Sequence, residues 1–150
     1  MTATRPVLRQ LVDDLEHAVV MPLGHHLSLL PMTTALRAAV ARVGAPPEAG
    51  FADLPAGFDR ALAACSVHGP VAYLEAEYFG GVGAQSAQVW DGGNVVLGPL
   101  YLAEGEPFPA EGTPISRALR RLGVTSGGHR DEFDAVGLHR HRDTLGWLLG

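Results

Sequence analysis

The sequence contains no lysine, so its eleven basic residues other than histidine are all arginines. A Schiff-base lysine and the lysine of a phosphate-binding P-loop are therefore excluded. Positive charge is also in deficit, because sixteen acidic residues give the chain a formal net charge of −5. A protein that binds the phosphate backbone of a nucleic acid needs a basic face, so we expect no nucleic-acid partner.

Cysteine and long apolar runs are scarce as well. The one cysteine, Cys65, excludes an internal disulfide. Its place beside Phe58 and Leu62 on an apolar helical pattern predicts a buried small hydrophobe rather than a nucleophile. No apolar stretch approaches the roughly 20 residues that cross a bilayer. The first residues lack the apolar run of a signal peptide, so we expect a soluble cytoplasmic protein without a membrane partner.

The composition is that of one folded domain. The chain has 150 residues, of which 47% are hydrophobic and 18% are charged, and this is enough to bury a core. Neither a repeat nor a shift in composition divides it. We therefore expect residues 1–150 to form a single domain.

The first half of the chain alternates between helical and extended patterns. Apolar residues at helical spacing predict an amphipathic helix from Val7 to Leu15. The runs Val19–Leu23 and Leu27–Leu30 predict a hairpin, and Pro22 places its first strand at a sheet edge.

Cap signals predict the helices that follow. Thr33 or Thr34 is expected to cap a helix that Gly44 ends, and Asp53 to cap a helix that carries Cys65. Later in the chain, Thr113 and Pro114 open a further helix. Two short helices are expected at the end of the chain, over 131–136 and 143–149, the last docked by Trp147.

The middle of the chain is the clearest β region. Alternating apolar residues predict strands over Val71–Phe79, Ser86–Trp90 and Val95–Leu102. The turn Asp91–Asn94 is too short for a crossover, so these strands form an antiparallel meander. Together with the N-terminal hairpin, and with helices packed mainly on one sheet face, this gives an α+β fold.

The strand of the meander that begins at Val71 carries the densest cluster of polar and aromatic residues. Glu75 and Glu77 point to one face of this strand, with Cα atoms about 6.5–7 Å apart. Buried carboxylates are costly, so they need partners such as an arginine or the amides of Gln85 and Gln88. The candidate binding residues are Glu75, Glu77, Tyr78, Gln85 and Gln88.

Three interpretations of the two glutamates stay open. They form a solvated face or a structural hydrogen-bond network, or a binding surface, or a catalytic carboxylate pair whose crowding raises one pKa. A glycosidase-like pair is not favoured, because neighbours on one strand are unusual for it. Structural ties are ranked first, binding second and catalysis third.

Two other motifs suggest a phosphate-binding loop and a metal site, but neither meets the requirements of such a site. Gly80–Gly83 is followed by a strand rather than a helix, so it lacks the helix N-terminus of a phosphate-binding loop. The pairs His25–His26 and His139/His141 lie far apart in sequence, and zinc needs three or four ligands in a defined geometry. We expect no metal and no cofactor, although Asp143 could join the second pair.

The segment Tyr73–Gln85, with the pattern Tyr-x-Glu-x-Glu-Tyr-Phe-Gly-Gly-Val-Gly-x-Gln, resembles an uncharacterised family of small actinobacterial proteins. The segments Ala87–Trp90, Val96–Pro99, Pro114–Gly123 and Asp131–Leu138 are similar to the same family. In size and style the chain is also similar to immunity proteins that neutralise bacterial toxins. By analogy, this implies a non-catalytic protein-binding module with a toxin-like partner. The alternatives are a small hydrolase or transferase with Glu75 or Glu77 as general base, and a ligand or anion sensor.

Overall fold

One antiparallel sheet organises the molecule. The computed structural model describes residues 1–13, 15–16, 18–41, 51, 53–76, 83–141 and 143–149. The sheet has six strands: β1 (Thr2–Thr4), β2 (Met21–Pro22), β3 (Leu27–Leu29), β4 (Val71–Ala76), β5 (Gln85–Asp91) and β6 (Asn94–Leu102). Their spatial order is β2-β3-β1-β4-β5-β6, and every neighbouring pair is antiparallel. The α+β class, the meander and the N-terminal hairpin are confirmed.

The helices are short: the first three lie between the first four strands in sequence, and the last three follow the last strand. They are α1 (Arg5–Val12), α2 (Thr34–Val40), α3 (Phe58–Cys65), α4 (Pro114–Arg121), α5 (Glu132–Val136) and α6 (Thr144–Leu149). Single 3₁₀ turns at Ser66–His68 and Leu138–Arg140 follow α3 and α5. None of the helices in the described ranges has the length and apolar character of a membrane span.

Both faces of the sheet carry a core. On the first face, Val71, Tyr73 and Trp90 are buried in one cluster with residues of α1, α2 and α3. On the second face, apolar side chains of β3, β4 and β5 pack with α4, α5 and α6. The sequence predicts helices mainly on one face, and the structure places them on both. The reason is that Ala72 and Val89, which alternate with the residues of the first face, are also apolar and need cover.

Side-chain caps position several helices. Thr33 accepts a hydrogen bond from the Leu36 N–H (3.0 Å) and Thr113 accepts one from the Ser116 N–H (3.3 Å), as predicted. The predicted cap at Asp53 is wrong, because the residue that precedes α3 is Gly57, with a φ of 79°. The predicted helix end at Gly44 lies outside the described residues, and α2 ends at Val40.

The strand β1 lies at the centre of the sheet although it has only three residues. It pairs with β3 on one side and β4 on the other. Met1 continues this pairing, since its amino group donates to the Leu30 carbonyl and its carbonyl accepts from the Leu30 N–H, both at 2.9 Å. Burial lowers the pKa of the Met1 amino group from 8.0 to about 5.

Candidate functional site

Glu75 is held at the end of β4 by two hydrogen bonds to one carboxylate oxygen. Its Oε1 accepts from the Tyr73 hydroxyl at 3.1 Å and from the Asp53 N–H at 2.8 Å. Tyr73 meets Glu75 because residues two apart on a strand share a face. Asp53 is fixed in turn by a 3.0 Å ion pair with Arg37 of α2. The carboxylate therefore ties β4 to the segment that precedes α3.

Tyr73 is the buried centre of this network. Its side chain is 2% exposed, and the ring of Phe51 meets it edge-on with centroids 5.3 Å apart. Burial, and next the negative charge of Glu75, raise the pKa of the Tyr73 phenol far above its usual value. The phenol therefore stays protonated and acts as a donor rather than as a base.

The two predicted glutamines, Gln85 and Gln88, lie on different faces of the sheet. Gln88 is buried on β5 opposite Tyr73, so it shares the face of Glu75. Gln85 lies opposite Ala76 and its side-chain oxygen accepts from the Ile115 N–H at 3.2 Å, on the face that packs α4. Glu77 and Tyr78 lie outside the described residues. The structure thus separates the two glutamines by face.

Two adjoining clefts lie at the end of β4. The smaller, of about 160 Å³, is polar and its lining includes Arg37, Asp53, Tyr73 and Glu75. The larger, of about 350 Å³, is mainly apolar. Its lining includes Leu29, Ile115, Phe133, Leu138, His141 and Trp147. Met32, Leu74, Ala76 and Thr144 line both clefts, so the two are neighbours.

The predicted pair His139 and His141 has separate partners. The carboxylate of Asp134 lies 3.1 Å from the Nδ1 of His139 and 3.4 Å from that of His129. His141 instead packs on Trp147, with ring centroids 4.8 Å apart, and Asp143 accepts from the Gly146 N–H at 2.6 Å. Within the described ranges no three His, Cys, Asp or Glu side chains are arranged to hold a metal ion.

Asp134 is the most strongly tuned carboxylate of this region. Partial desolvation acts to raise its pKa. The Arg130 N–H, His139 and His129 outweigh that effect and hold the pKa of Asp134 below its usual value. Asp134 therefore lies at the centre of a charged cluster that no sequence motif indicates.

A second surface that the motifs do not indicate lies on β6 and the segment after it. Val95 and Tyr101 pair with Trp90 and Ser86, so they lie on the first face, yet they are 48% and 62% exposed. Phe108 is 76% exposed, and Glu104 and Glu106 beside it are exposed too. We call Val95, Tyr101, Glu104, Glu106 and Phe108 the β6 surface.

The sequence does contain a signal for the β6 surface. Residues 61–116 include no lysine or arginine. Their acidic residues are Glu75, Glu77, Asp91, Glu104, Glu106 and Glu111. The chain's net negative charge therefore comes from the meander and the segment that follows it, since the acidic residues elsewhere are matched by arginines. Arg117 is the first cation beyond this stretch, and it lies 3.9 Å from Glu111.

No family model, curated protein or solved structure matches this chain.

Proposed function

We propose that the protein is a non-catalytic protein-binding module, of the kind that inhibits a toxin as immunity proteins do, and that its partner is a basic protein. The observation that carries this proposal is the β6 surface, where Tyr101 and Phe108 are exposed and lie close in sequence to the exposed Glu104 and Glu106, in a stretch without lysine or arginine. Single exposed apolar residues are ordinary, but two exposed aromatics joined to one acidic segment are not.

This surface has the chemistry of a recognition site. Tyrosine and phenylalanine are enriched in the cores of protein interfaces, where burial of a ring gives much of the binding energy. Negative charge around them steers a basic partner and speeds association. The net charge of −5 acts in the same direction.

The alternative, a small hydrolase or transferase with Glu75 as general base, has weaker support. A general base needs a lone pair directed at the proton it removes. The Oε1 atom of Glu75 already accepts two hydrogen bonds from the protein itself. The neighbouring Tyr73 is protonated and buried, which suits a structural tie.

The experiment is a rescue assay. Each protein encoded beside this chain is expressed in a bacterial host with and without the chain, and survival is counted. We expect one of these proteins to be toxic and this chain to restore growth. The variant carrying both Tyr101→Ala and Phe108→Ala should lose protection, because interface aromatics cost about 2 kcal/mol or more each when truncated.

Matched controls separate recognition from folding. Leu149→Ala and Val19→Ala remove apolar side chains that are 89% and 46% exposed elsewhere, and both should protect fully. Glu104→Gln with Glu106→Gln should slow association several-fold at low salt and less at high salt. A folded Tyr101/Phe108 variant that protects as well as wild type would contradict the proposal, as would the absence of any toxic neighbour.

A further inference from the structure

A further cleft lies beside α4 and shares no lining residue with the two clefts at the end of β4. It has a volume of about 280 Å³ and is lined by Leu97, Glu111, Arg117, Arg120 and Arg121. Three of these five residues are arginines, in a chain whose formal net charge is −5. We call it the arginine cleft.

The helix α4 brings the three arginines to one side. Arg120 and Arg121 follow Arg117 by three and four residues, the spacing at which helical side chains are neighbours. Ala118 and Leu119 are buried on the side of α4 that packs on the sheet. Like charges at this helical spacing repel each other, so an anion bound between the arginines would relieve the repulsion.

Arg120 is held in place by the protein itself. Its Nε lies 3.4 Å from the carboxylate of Glu132, whose side chain is 13% exposed. Its Nη2 donates a hydrogen bond to the Glu111 carbonyl. The same nitrogen lies against the backbone at Gly112, where an added Cβ atom would meet it at 2.6 Å. The Arg120 guanidinium therefore forms a fixed wall of the cleft.

Positive charge remains after the ion pairs of the cleft are counted. Glu132 balances Arg120. The Glu111 carboxylate is 59% exposed and lies 3.9 Å from Arg117, which is a long distance for an ion pair. Arg121 is exposed and forms no ion pair with any residue of the described ranges. The cleft therefore presents one guanidinium without a carboxylate and a second that is only loosely paired.

A phosphoryl group has the chemistry that complements this arrangement. It carries a charge of about −1.5 to −2 at pH 7 and three acceptor oxygens, so two guanidinium groups can bind it at once. The planar fork of an arginine matches a pair of these oxygens, and arginine clusters are a recurring means of binding phosphate. Leu97 adds an apolar wall against which the organic part of a phosphate ester can pack.

We propose that the arginine cleft binds a small phosphate monoester, with Arg117 and Arg121 donating to the phosphoryl oxygens and Leu97 contacting the organic group. This site goes beyond the proposed protein-binding function, because Leu97 lies on the second face of the sheet, whereas Tyr101 of the β6 surface lies on the first. Its test needs no partner protein, so either proposal can fail alone.

The probes are phenyl phosphate, inorganic phosphate and benzoate. Each is titrated into the full chain by isothermal titration calorimetry at neutral pH and constant ionic strength, which keeps the screening of charge equal. We expect phenyl phosphate to bind at least about tenfold more tightly than benzoate, which has the same ring but a single charge and two acceptor oxygens. Inorganic phosphate should bind at least about threefold more weakly than phenyl phosphate, because it lacks the ring that contacts Leu97.

Arg121→Gln and Arg60→Gln form a matched pair. Each removes one exposed arginine and changes the net charge equally, but Arg60 belongs to α3, across the sheet from α4. Arg121→Gln should weaken the binding of phenyl phosphate at least about tenfold, because a hydrogen bond between two charged groups is lost. Arg60→Gln should change the affinity by less than about twofold. Thermal melts check that both variants are folded.

Glu111→Gln should change the affinity in the opposite direction. The substitution releases Arg117 from its carboxylate and removes a negative charge that repels the phosphoryl group. We expect phenyl phosphate to bind at least about threefold more tightly to this variant. A distorted cleft could not produce such a gain.

Four results would overturn the proposal. They are no saturable binding of phenyl phosphate, equal affinities for phenyl phosphate and benzoate, equal losses in Arg121→Gln and Arg60→Gln, and equal affinities for the two phosphates. The third would mean that anions respond to the net charge of the chain rather than to the cleft. The fourth would mean that the ligand is free phosphate and not an ester.

Discussion

At the scale of single residues, the fold depends on polar groups that are satisfied inside the protein. The Tyr73 hydroxyl, the Asp53 N–H and the Arg37 guanidinium form a chain of contacts around the Glu75 carboxylate. Hydrogen bonds to a charged group stabilise more than neutral ones, and here they replace the solvation that the half-buried Glu75 carboxylate loses on folding. This network corresponds to the structural interpretation of Glu75 that the sequence ranks first.

Tyr73→Phe tests this network. The change keeps the ring that packs on Phe51. It removes the hydroxyl that donates a hydrogen bond to the Glu75 carboxylate. We expect the free energy of unfolding in urea to fall by about 1–2 kcal/mol. Tyr101→Phe, at a 62% exposed tyrosine, is the matched control and should stay within about 0.5 kcal/mol of wild type. Equal stability of the two variants would mean that the Tyr73–Glu75 hydrogen bond contributes nothing to the free energy of unfolding.

The buried amino group of Met1 makes the free energy of unfolding depend on pH. Its folded pKa is about 5 against 8.0 when unfolded, so between these values only the unfolded chain holds the proton. The free energy of unfolding should therefore fall as the pH is lowered from 8 to 5, by up to about 4 kcal/mol. Urea titrations at several pH values measure it. A flat or rising free energy of unfolding between pH 8 and pH 5 would contradict this prediction.

At the scale of elements, β6 is an edge strand with an irregular middle. Its pairing with β5 shifts between Ala87↔Leu100 and Val89↔Leu97, and Gly98 lies in the shift with a φ of 90°. A Cβ atom at Gly98 would lie 2.7 Å from the Ala87 carbonyl oxygen. Backbone sterics thus require glycine at this point of the strand.

Gly98→Ala and Gly105→Ala form a matched pair. Both glycines have positive φ, of 90° and 82°, but a Cβ at Gly105 meets nothing within 4 Å. We expect Gly105→Ala to cost about 1 kcal/mol from backbone strain alone. Gly98→Ala should cost about 3 kcal/mol or more, because the clash is added to the strain. Thermal or urea unfolding measures both, and equal losses would show that the strand can relax around the new methyl.

The elements that the sequence predicts are those with local signals. The meander is predictable because Asp91–Asn94 marks a tight turn between alternating runs, and α4 because Thr113 and Pro114 mark its start. β1 is not predictable, since three residues are too few for a periodic pattern and its pairing partners lie far away in sequence. The sequence thus predicts no strand before the first helix.

The candidate site is predictable only in part for the same reason. Alternation along β4 places Tyr73 and Glu75 on one face from sequence alone. The hydrogen bond from Asp53, 22 residues away, depends on tertiary packing that no local pattern encodes. Aspartate is a residue type that commonly caps helices, so the sequence predicts a cap at Asp53. In the structure its carboxylate pairs with Arg37 instead.

At the scale of the whole molecule, two layers of helices cover the two faces of one sheet and leave part of it uncovered. Helices α1–α3 and α4–α6 bury the two faces around β4, while the first face of β6 stays exposed at Val95 and Tyr101. The stretch from residue 61 to 116, which includes β6, contains six acidic residues and no lysine or arginine. A partner bound at the β6 surface would cover the part of the first sheet face that the protein's own helices leave exposed.

The most direct measurement is hydrogen–deuterium exchange of the chain alone and in complex with the toxic partner found by the rescue assay. We expect exchange to slow over Asn94–Leu102 and over 103–111, where the β6 surface lies. We expect no comparable slowing in α1, which packs on β1 and β3, and β4 and β5 separate these strands from β6. Slowing confined to α1–α3, with β6 unchanged, would contradict the proposed interface.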